Sequence, residues 1–267
     1  MSQTRHILSL SGGKDSTALA IHMRDQVEGM EYVFCDTGKE LPETYDYLNR
    51  IEAYLGKPIV RLNADYSFDH MLDKFSGFLP SPRMRWCTRD LKLRPFEKYI
   101  GDDDVVSYVG IRADENRSGY ISTKPNIRAV FPFKEDGVTK EDVFRILEES
   151  GLGLPDYYKW RTRSGCYFCF FQRKAEWVGL KENHPDLFEK AKKYEKETTP
   201  TGQRYTWVQS ESLNELEARA PQIKAEYHKT LEREAKARKN VPLMQLFDTT
   251  HDYLDDEEED ACLMCDL

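Results

Sequence analysis

The sequence predicts an α/β fold: a doubly wound, mostly parallel sheet followed by a helical C-terminal part. Three observations carry this reading. The first half holds short, continuous apolar runs, the pattern of strands buried on both faces. Each run is followed by a segment of helical length and patterning. A glycine turn, Ser11-Gly12-Gly13, joins the first run directly to the first helix.

Taken in order, the expected strands are 6–10, 32–35, 59–62 and 105–109. The expected helices between them are 15–28, 42–55, 68–75 and 91–99. Pro42 suits a first helical position, where its missing N–H costs nothing. Beyond Val130-Phe131-Pro132-Phe133 the pattern turns helical. Thr139 is a capping candidate three residues before Asp142, and Gly151 a stop. Further helices are expected over 174–182, 185–197 and 212–238. The domain reading is a nucleotide-binding domain over 1–155, a cysteine-containing helical region over 156–250, and an acidic tail over 251–267 that ends in Cys262-Leu263-Met264-Cys265.

The 267 residues are ample for a packed core. Charged residues make up 32% and the formal net charge is −8, which argues against a protein that coats nucleic acid generally. A local basic site remains compatible with that balance. Residues 157–174 contain Lys159, Arg161, Arg163, Arg173 and Lys174 and no acid. Residues 83–94 set Arg83, Arg85, Arg89, Lys92 and Arg94 against Asp90 alone. No apolar run has membrane-spanning length and no secretory signal fits the first residues, so a cytoplasmic protein with reduced cysteines is expected.

Ser11-Gly12-Gly13-Lys14-Asp15-Ser16 is the most informative stretch. Glycines let the backbone approach a phosphate, and the first helical N–H groups point at it with the helix dipole behind them. Lys14 adds a full charge; Ser11 and Ser16 add hydroxyls. A Walker loop is excluded, because Leu8 stands where its first glycine belongs and Asp15 follows the lysine. The stretch resembles the PP-loop, SGGxDS, of the ATP pyrophosphatases, which cleave ATP to AMP and pyrophosphate. Two further motifs resemble the phosphoadenosine phosphosulfate (PAPS) reductase family within that group. One is Asp36-Thr37-Gly38 followed by Pro42-Glu43-Thr44. The other is Gly110-Ile111-Arg112 with the polar stretch through Arg117. If the fourth strand flanks the first opposite the second, these motifs meet at the point where strand order reverses.

The resemblance implies a Rossmann-like nucleotide domain that binds ATP and Mg²⁺. Lys14, Asp15, Asp36 and Arg112 are the expected catalytic residues. Ser11, Gly12, Gly13, Ser16, Thr37, Gly38, Gly110 and Arg117 join them around the nucleotide. The reading that follows is ATP cleavage to adenylate an acceptor for sulfur transfer, with nucleic acid as a candidate acceptor. The alternatives are a reductase that releases sulfite from adenylylated sulfate, and a nucleotide- or redox-sensing module. The first motif is intact, as in the small ATP sulfurylase subunit and the DNA phosphorothioation enzymes. The C-terminal Glu-Cys-Gly-x-His-like motif of the reductases is absent. A sulfur donor such as a cysteine desulfurase, or a reductant such as thioredoxin, is the implied partner.

Cys166-x-x-Cys169 aims two thiols at one metal, with Cys87 a third ligand. In the family and its DNA-modifying relatives, cysteines at comparable places hold a [4Fe–4S] cluster. The fourth ligand is open among Cys35, Cys262 and Cys265, with Cys265 taken for the site, and zinc is the alternative metal.

Overall fold

The computed structural model describes residues 4–116, 122, 124–197, 202–209 and 211–239, the last six of these by backbone alone. The expected Arg117, Cys262 and Cys265, and the acidic tail, lie outside the described residues. The chain divides into two compact units. The first runs up to Lys74 and over Arg83–Cys166; the second joins Phe75–Pro82 to the described residues from Tyr167 onward.

The first unit carries five parallel strands: β1 Arg5–Ser9, β2 Glu31–Asp36, β3 Ile59–Asn63, β4 Val105–Tyr108 and β5 Ile127–Val130. Their order is β3-β2-β1-β4-β5. β1 pairs with β2 on one side, Leu8 opposite Tyr32, and with β4 on the other, Leu8 opposite Tyr108. The order therefore reverses between β1 and β4, and ligands of such sheets bind beyond the strands' carboxyl ends at that crevice. Burial follows the sequence. β4 is buried throughout, whereas β5 at the sheet edge is half-buried and exposes Arg128. β5 was not among the expected strands, because four residues with one exposed base carry no continuous apolar run.

Helices α1 Lys14–Met23, α2 Pro42–Leu55 and α3 Phe68–Lys74 follow the first three strands. α1 is shorter than expected. Its last turn gives way at Arg24, and Gly29, at φ +74°, turns the chain toward β2. The helix expected over 91–99 starts earlier. It opens as α4 Trp86–Thr88, widens into a π-helical stretch over Arg89–Leu93, and continues as α5 Arg94–Ile100. After α6 Pro132–Glu135 comes α7 Lys140–Glu149. Asp142 closes the entry to α7, accepting from Thr139 N at 2.9 Å and Thr139 Oγ1 at 2.7 Å. Leu8, Leu19, Leu48, Phe133 and Leu147 lie in one core cluster. Ile7, Val33, Cys35 and Phe96 lie in another.

The second unit is built from α8 Lys174–Asn183, α9 Pro185–Lys192, α10 Leu213–Ala218 and α11 Ala220–Lys239. A single helix was expected over 212–238. Pro221 lacks the N–H a helix interior needs, so the chain breaks at Arg219 and restarts. Trp207 stacks on Phe168 at 4.8 Å between ring centres and donates its indole N–H to Ala191 O.

Glu211 ties this unit together. Arg219 holds both its oxygens at 2.7 Å, and Lys174 Nζ lies 2.5 Å from it. These hydrogen bonds, Arg219's first, hold its carboxyl down at about 2. A carboxyl lowered on folding contributes stability that is present above its ordinary value and lost as pH falls through the lowered one. The melting temperature should therefore drop between about pH 4.5 and 2. Glu211→Gln should flatten that part of the profile; an unchanged acid limb in thermal melts would remove Glu211 from the account.

Candidate active site

The loop after β1 is set by its own hydroxyls. Ser16 Oγ accepts from Ser11 N at 3.1 Å and lies 3.0 Å from Ser11 Oγ, while Thr17 Oγ1 donates to Gly13 O at 2.7 Å. Gly12 sits at φ +72°, and a Cβ there would fall 2.8 Å from Thr44 Cγ2 on α2. Both facts require glycine. Gly12→Ala should cost about 1–3 kcal/mol from the left-handed backbone alone. Urea denaturation checks this, and a variant as stable as the parent would contradict the loop geometry.

Gly110 closes the crevice from the other side. A Cβ on it would stand 3.2 Å from Asp15 O. Arg112 then reaches α1. Its guanidinium contacts Asp15 at 3.0 Å, Asp114 at 3.0 Å and Glu115 at 2.7 Å, and its side chain is 1% exposed. Asp15 in turn meets Lys14 Nζ at 2.9 Å. The result is a buried chain of charges, Lys14–Asp15–Arg112, across the switch point.

The titration directions fit this chain. Burial pulls the Lys14 ammonium down, but the Asp15 carboxylate outweighs it and holds the group above its ordinary value. Burial pushes Asp15 up, yet Lys14 and then Arg112 hold it below the usual carboxylate range. Arg112 is likewise raised, against burial, by Asp15, Glu115 and Asp114. All three groups are charged at neutral pH.

From β2, Asp36 presents Oδ1 to Gly38 N and Tyr45 Oη, each at 2.8 Å. Among the described residues its other oxygen has no partner. Both Asp15 oxygens are already engaged, so Asp36 is the better-suited carboxylate for a divalent cation. Mg²⁺ commonly takes one or two protein carboxylates and completes its shell with phosphates and water.

The segment 157–166, expected to matter for its bases and Cys166, also covers the loop, through side chains the sequence did not single out. Tyr157 Oη donates to Gly12 O at 2.7 Å, Tyr158 Oη accepts from Lys14 N at 3.1 Å, and Ser164 Oγ donates to Ser11 Oγ at 3.2 Å. Buried Arg161 donates to the carbonyls of Gly165 at 3.1 Å and Cys166 at 3.0 Å, fixing a turn in which Gly165 has φ +133°. Cys166 Sγ then lies 3.1 Å from Thr37 Oγ1 and 3.5 Å from Glu40 Oε1. Apart from the Arg161 turn, these contacts join residues more than a hundred positions apart, and no local spacing announces them.

The other expected ligands are placed as follows. Cys87 is half-buried on α4, and Cys169 is half-buried in the second unit. Cys35 is buried in the core, donates to Lys92 O at 3.6 Å and is pushed up to about 11 by burial. Among the described residues no three His, Cys, Asp or Glu side chains gather as a metal site. The expected cluster draws no support from them. No helix among the described residues is long and apolar enough to cross a membrane.

A family model for the phosphoadenosine phosphosulfate reductase domain matches residues 5–170. An uncharacterised protein of Methanocaldococcus jannaschii is 30% identical over 198 residues, covering 69% of this chain and 40% of that protein. A tRNA-specific 2-thiouridylase MnmA of Pediococcus pentosaceus is 26% identical over 191 residues, covering 58% of this chain and 50% of the enzyme. The chain thus spans half or less of the length of these relatives. A crystal structure of PAPS reductase from Candida auris, in complex with phosphate, aligns at TM-score 0.48 and 14% identity, covering 61% of this chain and 82% of that one.

Proposed function

The chain belongs to the phosphoadenosine phosphosulfate reductase domain family, and within that family we propose that it cleaves ATP to AMP and pyrophosphate, adenylating an acceptor for sulfur transfer. The observation that carries this reading is the intact loop. Gly12 adopts the left-handed turn, and Lys14 is buried yet held charged beside it. An enzyme acting on adenylylated sulfate has no pyrophosphate leaving group to hold and no need of such a cradle.

In this reading Lys14 and the N–H groups at the start of α1 bind the β- and γ-phosphates. Asp15, clamped by Arg112, keeps Lys14 aimed at them. Gly110 lets the chain after β4 pack against the backbone of α1, which holds the two walls of the crevice together. Asp36 would hold Mg²⁺, whose charge offsets that of the phosphates when it is bound. An acceptor oxygen attacks the α-phosphorus; the new O–P bond forms as the bond to the β-phosphate oxygen breaks, and pyrophosphate leaves with that electron pair. The terminal sulfur of a donor protein's persulfide then attacks the acceptor carbon and AMP departs with the C–O electron pair; a second thiol takes up the carrier sulfur as a disulfide, leaving the terminal sulfur on the acceptor. Cys166 Sγ, 3.1 Å from Thr37 Oγ1, is the thiol this reading assigns to the sulfur-transfer step. The similarity to enzymes named as tRNA-specific 2-thiouridylases favours a nucleic-acid acceptor.

Substrate comparison tests the reading. Purified protein is offered ATP with tRNA in one vessel, and PAPS with reduced thioredoxin in another. AMP formation from ATP supports the proposal. Sulfite release from PAPS, with ATP untouched, assigns the chain to the reductases instead.

A further inference from the structure

A phosphate on the loop and the segment over the loop compete for one donor. Lys14 N carries the first N–H of α1, one of the helix-terminal donors without an intrahelical acceptor. It is the group that a phosphate oxygen would take. In the structure it donates to Tyr158 Oη at 3.1 Å. One N–H carries one hydrogen, so a phosphate aligned on it and the Tyr158 hydroxyl exclude each other.

Tyr158 does not sit there alone. Its ring stacks on Tyr157 with centres 5.0 Å apart, and Tyr157 is fully buried, anchored to Gly12 O. The same stretch reaches Ser11 through Ser164, and Thr37 through Cys166. A change at Tyr158 is therefore felt along the segment that carries Cys166.

We propose that Tyr158 is a nucleotide-site residue that holds the place of a phosphate oxygen on Lys14 N–H, so that nucleotide binding and the seating of residues 157–166 on the loop are coupled. This rests on the nucleotide reading given above and extends it: the nucleotide's phosphate displaces the hydroxyl and loosens the segment bearing Cys166. By reciprocity, taking the Tyr158 hydroxyl off Lys14 N–H tightens the nucleotide.

Tyr157 supplies the contrast. Its hydroxyl donates to a carbonyl, which binds no phosphate, so removing it frees no phosphate-binding donor. The test measures ATP affinity by equilibrium dialysis, without acceptor, for the parent, Tyr158→Phe and Tyr157→Phe. It also measures hydrogen exchange of residues 157–166 in the parent with and without ATP. Tyr158→Phe should bind ATP about three- to tenfold tighter, the worth of one net hydrogen bond no longer in competition. Tyr157→Phe should bind no tighter, and ATP should speed exchange in 157–166. A purely structural Tyr158 would give weaker binding on substitution, never tighter. Unchanged or weaker binding by Tyr158→Phe, or exchange in 157–166 that ATP leaves unaltered, overturns the inference while the nucleotide reading stands. If the parent binds no ATP, the nucleotide reading falls and takes this inference with it.

Discussion

Replacing Lys14 with alanine lowers the rate of pyrophosphate release from ATP by roughly 10²–10³, the usual loss when a pre-organised charge-stabilising group is removed. The effect is large because Lys14 is only 8% exposed, so its charge acts where water screens it little. It is also held in place. Asp15 fixes the ammonium at 2.9 Å and Arg112 fixes Asp15. The loss should fall on turnover more than on folding, since Asp15 keeps Arg112 as a partner in the variant. A continuous pyrophosphate assay at saturating ATP, with thermal melts alongside, separates the two. A variant that turns over within threefold of the parent would remove Lys14 from the phosphate site.

Arg112→Met has the largest expected effect on stability. Arg112 is buried, and its guanidinium is shared by Asp15, Asp114 and Glu115. Removing the cation from such a cluster leaves buried carboxylates facing one another, at a cost of about 3–5 kcal/mol. Urea denaturation measures the shift. Arg112→Lys should recover only part of it, because a single ammonium cannot reproduce the fork that meets three carboxylates. Full recovery by lysine would show that charge alone matters here.

Arg112 also marks where the sequence was legible and where it was not. Gly110-Ile111-Arg112 pointed to the crevice beside the first loop, and the order β2-β1-β4 puts it there. The guanidinium, expected among the catalytic groups around the nucleotide, meets carboxylates of its own chain. Spacing along the chain says which strand end a residue occupies; it does not say which charges wait there. The first four strands were readable because a strand buried on both faces is a continuous apolar run. β5 was not, because an edge strand with exposed Arg128 lacks that run. Three motifs in the right order named the family whose model matches residues 5–170.

The segment 157–166 was read for its bases and cysteines. What it does in the structure depends on Tyr157, Tyr158, Arg161 and Ser164, whose partners lie at Gly12, Lys14 and Ser11 or within the turn itself. Glu40 was overlooked for the same reason. It is a buried carboxylate whose place beside Thr37 and Cys166 appears only once the chain is folded. Cys-x-x-Cys spacing, by contrast, suggested a cluster that the described residues do not assemble.

The central claim is the bond that ATP loses. A single turnover with ATP carrying distinguishable labels on its α- and γ-phosphates, in the presence of tRNA as acceptor, reads that bond directly. Cleavage between the α- and β-phosphates puts the α-label in AMP or an adenylated acceptor, and the γ-label in pyrophosphate. That is the predicted result. An α-label in ADP and a γ-label in inorganic phosphate would contradict the account.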